Sequence, residues 1–253
     1  MHKILSLLAL AILEFAPLAR AASNEPTLVA EDKAGDSPYS QMGRLRGFSG
    51  TKAVLGTGSA ITTHGVLTAG HLLFHRKRGF STDVRFDLSQ YNTSKELTAR
   101  SLQVYVNAKY TTAVTTNGAG SVQALSKDFG GIVTNKAITA NGLLSYRTAP
   151  DVLAFGGIGK RSIGYGTTSS DGRVPLESVL QTAFDEISPS FYFSDAYFLE
   201  GGMSGGPTVY FDGSKWRLIA VNVSGFHGTE GGGVRPVNGA MENFIDSVLK
   251  VLD

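Results

Sequence analysis

The chain has 253 residues, of which 42% are hydrophobic and 17% charged, with 31 glycines, no cysteine and a formal charge of +2. The near-neutral balance gives no reason to expect nucleic acid or an anionic membrane as partner. The missing cysteine rules out thiolate metal sites, iron–sulfur clusters, cysteine nucleophiles and disulfides, so packing and hydrogen bonds must hold the fold.

The first 21 residues read as an export signal. His2 and Lys3 make a positive start, Ile4 to Leu13 an apolar run, and Ala19-Arg20-Ala21 a small-x-small cleavage pattern. Ten apolar residues ended by Glu14 and Pro17 are too few to span a bilayer, which takes about 20. Removing the signal leaves a charge of about +1, and no membrane contact is expected after cleavage. Residues 22 to 40 are polar and aperiodic, with Pro26, Gly35 and Pro38, and read as a propeptide or an N-terminal arm.

From Gln41 the text turns to short apolar or alternating runs broken by Gly, Asn, Asp and Thr, the pattern of an all-β sandwich or barrel. Strands are expected at Ala53–Leu55, Ser59–Ile61 and Val66–Thr68, with a turn at Thr63-His64-Gly65. Further strands are expected at Leu102–Val106, Gly131–Val133, Val152–Phe155, Val179–Ala183, Phe191–Phe193, Thr208–Phe211 and Arg217–Val223. Asp212-Gly213 between two such runs is a hairpin signal. Only the end reads as helix, where Met241, Phe244, Ile245, Val248, Leu249 and Leu252 recur at helical spacing.

Three segments carry chemistry. The first is Glu200-Gly201-Gly202-Met203-Ser204-Gly205-Gly206-Pro207. A nucleophilic serine on a tight turn needs neighbours that tolerate positive φ and leave room for a substrate carbonyl. Such a turn also frees backbone N–H groups for an oxyanion, here those of Gly202 and Ser204. The plain alternative is a glycine-rich hairpin without chemistry. In the second, Val66-Leu67-Thr68-Ala69-Gly70-His71, a strand delivers a histidine to its end. A lone histidine there is more often structural. Of the others, His2 leaves with the signal, His64 sits in a turn, and His75 lies in the basic run His75-Arg76-Lys77-Arg78, read as a solvated loop; His227 remains. The third is Ser126-Lys127-Asp128-Phe129-Gly130-Gly131. An aspartate entering a buried strand is costly unless paired, and a histidine N–H is one such partner. An aspartate closing a turn is the equal alternative, and Asp83, Asp87 and Asp151 compete with it.

Other motifs fall away. Gly202-x-Ser204-x-Gly206 fits the nucleophile elbow of α/β-hydrolases, but Pro207 and the Asp212-Gly213 turn make a hairpin where that fold needs a helix. Asp128-Phe129-Gly130 has no accompanying kinase motif, and Gly156-Gly157-Ile158-Gly159-Lys160 lacks the first glycine and the final Ser/Thr of a phosphate loop. No metal-binding pattern and no cofactor fingerprint stands out, so neither metal nor cofactor is expected.

Taken in order, histidine, aspartate, serine, the chain resembles the chymotrypsin-like serine peptidases, nearest their bacterial branch of glutamyl endopeptidases and V8-like enzymes. The matching text is Met42-Gly43-Arg44-Leu45, Gly56-Thr57-Gly58-Ser59-Ala60-Ile61, Leu67 to His71, Asp128 to Ile132 and Gly202 to Pro207. The resemblance implies two six-stranded antiparallel β-barrels with a C-terminal helix over residues 41–253, the boundary between barrels falling near 145–160. It implies His71 and Asp128 from the first barrel and Ser204 from the second, acting as a triad on protein or peptide substrates. It puts Phe198 near the base of the primary specificity pocket, which points to an apolar or uncharged side chain before the scissile bond. Val223-Ser224-Gly225 resembles the strand that pairs with substrate backbone. Met203 stands where relatives carry Asp, Asn or Gln, so it cannot form the ion pair with a freed N-terminus that activates some of them. The histidine with which glutamyl endopeptidases bind glutamate would align near Asn222, so specificity for glutamate is not implied. An inert binding or adhesion protein on the same scaffold, and an esterase, are the rival readings.

Overall fold

The computed structural model describes residues 25–139, 141–167, 171–225 and 231–252. The expected export signal and His227 lie outside them. Six antiparallel strands close the first barrel: β2 (Met42–Ser49), β3 (Lys52–Ala60), β4 (Gly65–Thr68), β7 (Thr82–Leu88), β8 (Leu97–Val106) and β9 (Gly130–Thr134), in the order β2-β3-β4-β9-β8-β7. Leu45, Val66, Phe86, Leu88 and Ile132 fill its interior. Between β4 and β7 the chain makes the short helix α1 (Gly70–Leu73) and a hairpin of β5 (Phe74–His75) with β6 (Gly79–Phe80).

The second sheet is built from β1 (Thr27–Leu28), β10 (Lys160–Gly164), β11 (Leu176–Leu180), β12 (Asp185–Ser188), β13 (Phe191–Ser194), β14 (Pro207–Phe211), β15 (Trp216–Gly225) and β16 (Gly232–Pro236). Its order is β1-β11-β10-β14-β15-β16-β13-β12. It has eight strands where the resemblance implies six. One of the two added strands, at the edge, comes from the segment expected as propeptide or N-terminal arm: Thr27 and Leu28 pair with Glu177 and Leu176, and Tyr39 is buried with its hydroxyl donating to Glu177 Oε2 at 2.7 Å.

A single apolar cluster joins the two units. Leu67, Ala69 and Leu72 come from the first barrel, Ile163, Val209 and Val221 from the second sheet. The C-terminal helix (Gly239–Phe244, continued by a wider turn over Ile245–Leu249) adds Met241, Ile245 and Leu249, all fully buried. Those are three positions of the helical stripe seen in the sequence; Leu252 is exposed. Truncating a buried leucine of this kind typically costs about 2–5 kcal/mol, so the helix is part of what holds the two units in register.

Some local expectations fail. Val152–Phe155 is not a strand but the end of a helix, α4 (Pro150–Ala154). Pro150 pre-sets the helical φ at the first position, and one helical turn buries Val152 and Leu153 side by side, whereas a strand would point them to opposite faces. A ten-residue helix, α2 (Ala108–Asn117), follows β8 where no helix is expected. Its four threonines are poor helix formers. Asn107 caps it, Tyr110, Ala113 and Val114 bury one face, and Thr111, Thr112 and Thr115 turn their hydroxyls back onto main-chain carbonyls. Ala53–Leu55 and Ser59–Ala60 are one strand rather than two, and Val179–Ala183 begins and ends three residues earlier. His75 belongs to the β5–β6 hairpin rather than to a loop.

Candidate active site

His71 stands in the first turn of α1, immediately after β4. Asp128 precedes β9, after the one-turn helix α3 (Val122–Leu125). Because β4 and β9 are paired neighbours, the two side chains emerge at the same end of the barrel. The carboxylate holds the histidine twice: Oδ1 accepts the His71 backbone N–H at 2.8 Å, and Oδ2 lies 2.7 Å from Nδ1. Gly70 lets the carboxylate approach, since a Cβ there would stand 3.1 Å from Oδ1. Asp128 is 1% exposed and the imidazole 29%. With Nδ1 engaged by a buried acid, Nε2 is the ring nitrogen left without a hydrogen-bond partner among the described residues.

Burial lowers the pKa of His71, but the charge of Asp128 and its hydrogen bond outweigh that, and the net shift is upward from 6.5. The competing acids are occupied elsewhere. Asp87 meets Arg46 at 2.7 Å and accepts from Thr98 at 2.6 Å. Asp83 pairs with Arg85 and Arg100, and Asp151 is exposed on α4. His64 has Nδ1 3.1 Å from the Thr134 carbonyl, and His75 accepts from the Lys77 N–H.

Ser204 lies in the turn that leads into β14, and the turn is fastened to both units. Its own carbonyl accepts from Thr57 N–H at 2.9 Å, and Thr57 Oγ1 donates to the Gly202 carbonyl at 2.9 Å while accepting from Tyr165 N–H. Thr68, three residues before His71, donates to the Thr57 carbonyl at 2.6 Å. One threonine of β3 therefore connects the strand that carries the histidine with the turn that carries the serine. Gly202 and Gly205 have φ of 95° and 81°, a region that disfavours side chains. A Cβ on Gly205 would also overlap Thr68 Oγ1 and the Thr57 carbonyl.

The N–H groups of Met203, Gly205 and Gly206 are taken by Glu200, Asn222 and Met203 carbonyls. Those of Gly202 and Ser204 have no protein acceptor among the described residues. Met203 is fully buried in the second-sheet core, packed so closely on Gly164 that a Cβ there would come within 2.6 Å of its Cα.

The residues expected to face substrate flank this turn. Phe198 is half-buried between fully buried Tyr197 and nearly buried Leu199. At the end of β15, Ser224 and Gly225 pair with Gly233 and Gly232 on one side only, because pairing with β14 stops at Val221. Among the described residues the opposite side of Val223, Ser224 and Gly225 carries no strand.

Asn222 has a part the sequence did not disclose. It is fully buried, and its amide donates to the carbonyls of Ile163 and Met203 while accepting from Thr208 at 2.8 Å. Its backbone also exchanges hydrogen bonds with Gly205 and Gly206. It braces the serine turn from beneath. The signal available was one amide inside an otherwise apolar strand, Leu218 to Val223, since a buried polar side chain must find partners.

No family model and no curated protein sequence matches the chain. Solved structures do. A Glu endopeptidase aligns at a TM-score of 0.69 with 19% identity over 89% of this chain and 96% of its own. The protease Anisep from Arthrobacter nicotinovorans aligns at 0.68 with 18% identity, covering 85% and 98%. A thermostable serine protease, AL20, from an extremophilic microorganism aligns at 0.65 with 14% identity, covering 84% and 98%. The fold is that of the chymotrypsin-like serine proteases. Within it, the likeness extends to a Glu endopeptidase over nearly the full length of both chains.

Proposed function

We propose that the chain is an exported serine endopeptidase that cleaves peptide bonds through a covalent acyl-enzyme. The observation that carries this reading is the doubly bonded His71–Asp128 pair. With its proton on Nδ1, held by Asp128, the ring offers Nε2 as base. Ser204 Oγ gives its proton to Nε2 as it bonds to the substrate carbonyl carbon, and the carbonyl oxygen takes the negative charge. Unclaimed N–H groups of Gly202 and Ser204 supply the donors for that oxyanion. His71 returns the proton to the leaving nitrogen as the C–N bond breaks, and then deprotonates the water that releases the acid. Phe198 lines the pocket for the side chain before the scissile bond, and Val223 to Gly225 receive substrate backbone as an added strand.

A fluorophosphonate probe tests this. Labelling is expected on Ser204, with a rate that rises through a pKa above 6.5, because His71 must be neutral to act and its pKa is shifted upward. An unlabelled serine means an inert binding protein on this scaffold. Labelling that is constant from about pH 5 to 9 removes His71 as the base. Hydrolysis of simple esters without casein cleavage would make the chain an esterase.

Export rests on the apolar run and cleavage pattern of residues 1–21. The form recovered outside the cytoplasm is expected to lack them. N-terminal sequencing that finds residue 1 on that form overturns export by cleavage.

A further inference from the structure

A buried cation from the other unit stacks on the residue that follows the acid of the pair. Arg235, near the end of β16, is 2% exposed. Its guanidinium carbon stands 4.4 Å from the centre of the Phe129 ring, and Phe129 is the residue after Asp128. Nη1 donates to the Pro236 carbonyl and Nη2 to Asn238 Oδ1 at 3.0 Å. Asn238 in turn caps the C-terminal helix and donates to Ser190. Among the described residues no carboxylate lies within 4.0 Å of the guanidinium. A buried charge without such a partner is expensive, and the acid whose charge reaches it is Asp128.

We propose that Arg235 is a positioning residue for the site, holding a positive charge on the Phe129 ring within electrostatic reach of Asp128 and thereby joining the second sheet to the His71–Asp128 pair. The inference rests on the proposed role of that pair. It assigns the arginine two tasks that can be separated: filling the seam, and supplying charge.

Burial outweighs the opposing pull of Asp128 and brings the guanidinium down to about 10, so it stays a cation near neutral pH. Its charge reaches the pair at Asp128, and in the proposed role a cation held there opposes a second positive charge on His71. Tyr110 from α2 also faces the pair, its phenol driven upward by burial and by the Asp128 charge, while Lys127, next to Asp128 in the chain, turns its Nζ to the Gln123 carbonyl. Strands β4 and β9 contribute no charged residue. Loss of the arginine therefore raises the pKa of His71 further, and the acidic limb of any reaction needing neutral His71 moves to higher pH.

The seam also provides access. A cavity of about 660 Å³, lined by Arg235, Phe129, Phe244, Val248, Lys109 and Lys127, lies against the arginine. A small planar cation can enter the space that truncation leaves.

The experiment is NMR titration of the His71 imidazole in wild type and Arg235→Ala, with and without added guanidinium, using urea as the uncharged control of the same shape. This readout does not depend on turnover, so a wild type that fails to react with fluorophosphonate defeats the peptidase reading without touching this one. The expected result is a His71 pKa raised by roughly one unit in Arg235→Ala, returned towards wild type by guanidinium and left in place by urea. In an active enzyme the same variant loses about tenfold in kcat/KM at neutral pH and recovers at higher pH. An unchanged His71 titration, or equal rescue by urea, overturns the proposal and leaves Arg235 as filler. Should Arg235→Ala fail to fold, Arg235→Lys and Arg235→Met decide. Lysine holding the wild-type titration while methionine raises it supports the charge; identical titrations, or loss of the fold in both, assign the residue to packing alone.

Discussion

Ser204→Ala is expected to lower casein hydrolysis by roughly 10⁶-fold, the loss produced by removing the nucleophile from an unrelated serine peptidase triad. The structure makes the substitution clean. What fixes residue 204 in the turn is its carbonyl, held by Thr57 N–H, together with the Gly205 N–H held by Asn222. Neither bond uses Oγ, and alanine fits the backbone without a new atom. The thermal midpoint should therefore stay within a few degrees of wild type while turnover collapses. Any residual rate belongs to substrate binding and to the Gly202 and Ser204 N–H groups, which the substitution leaves in place. An alanine variant that cleaves casein like wild type removes Ser204 from the mechanism, however well the rest of the site is formed.

The parts of this molecule that could be read from its sequence are those where chemistry or local geometry restricts the residue type. Gly202 and Gly205 need positive φ, so the turn around Ser204 announces itself. His71 follows one short apolar strand and Asp128 leads into another, and such strands are recognisable alone. The Asp212-Gly213 hairpin and the stripe of Met241, Ile245 and Leu249 are likewise local signals. The remainder is set by contacts distant in sequence. Thr57 meets the Gly202 carbonyl across 145 positions, and nothing near Thr57 foretells it. Asn222 and Arg235 look like ordinary polar interruptions of strands until their partners are in view. Strand β2 hid for another reason: Arg44 and Arg46 alternate with apolar residues, yet Arg46 is there to meet buried Asp87. In α2 the threonines misstate the helix because its stability comes from Tyr110, Ala113 and Val114 packing on the first barrel's flank, a tertiary effect that overrides propensity.

The second large effect follows from how Asp128 holds His71. Asp128→Asn is expected to reduce kcat/KM near neutral pH by about 10⁴-fold, with KM changed far less. The wild-type carboxylate accepts twice, from the His71 backbone N–H and from Nδ1–H. An asparagine has one acceptor and one donor. The backbone N–H can only be met by the amide oxygen, which turns the amide NH₂ towards Nδ1. Nδ1 must then accept, so the proton of the neutral ring moves to Nε2, the atom that has to receive the Ser204 proton. The base is thus disabled by tautomer, with the residue volume and the surrounding packing preserved. The loss of the carboxylate charge acts in the same direction, because the imidazolium formed during attack loses its counter-ion. Both contributions should appear in one titration: the His71 pKa, raised in wild type by Asp128, should fall in Asp128→Asn as burial is left to act alone. A variant with wild-type turnover and an unmoved His71 titration would mean that the two hydrogen bonds tie β4 to β9 and have no part in catalysis.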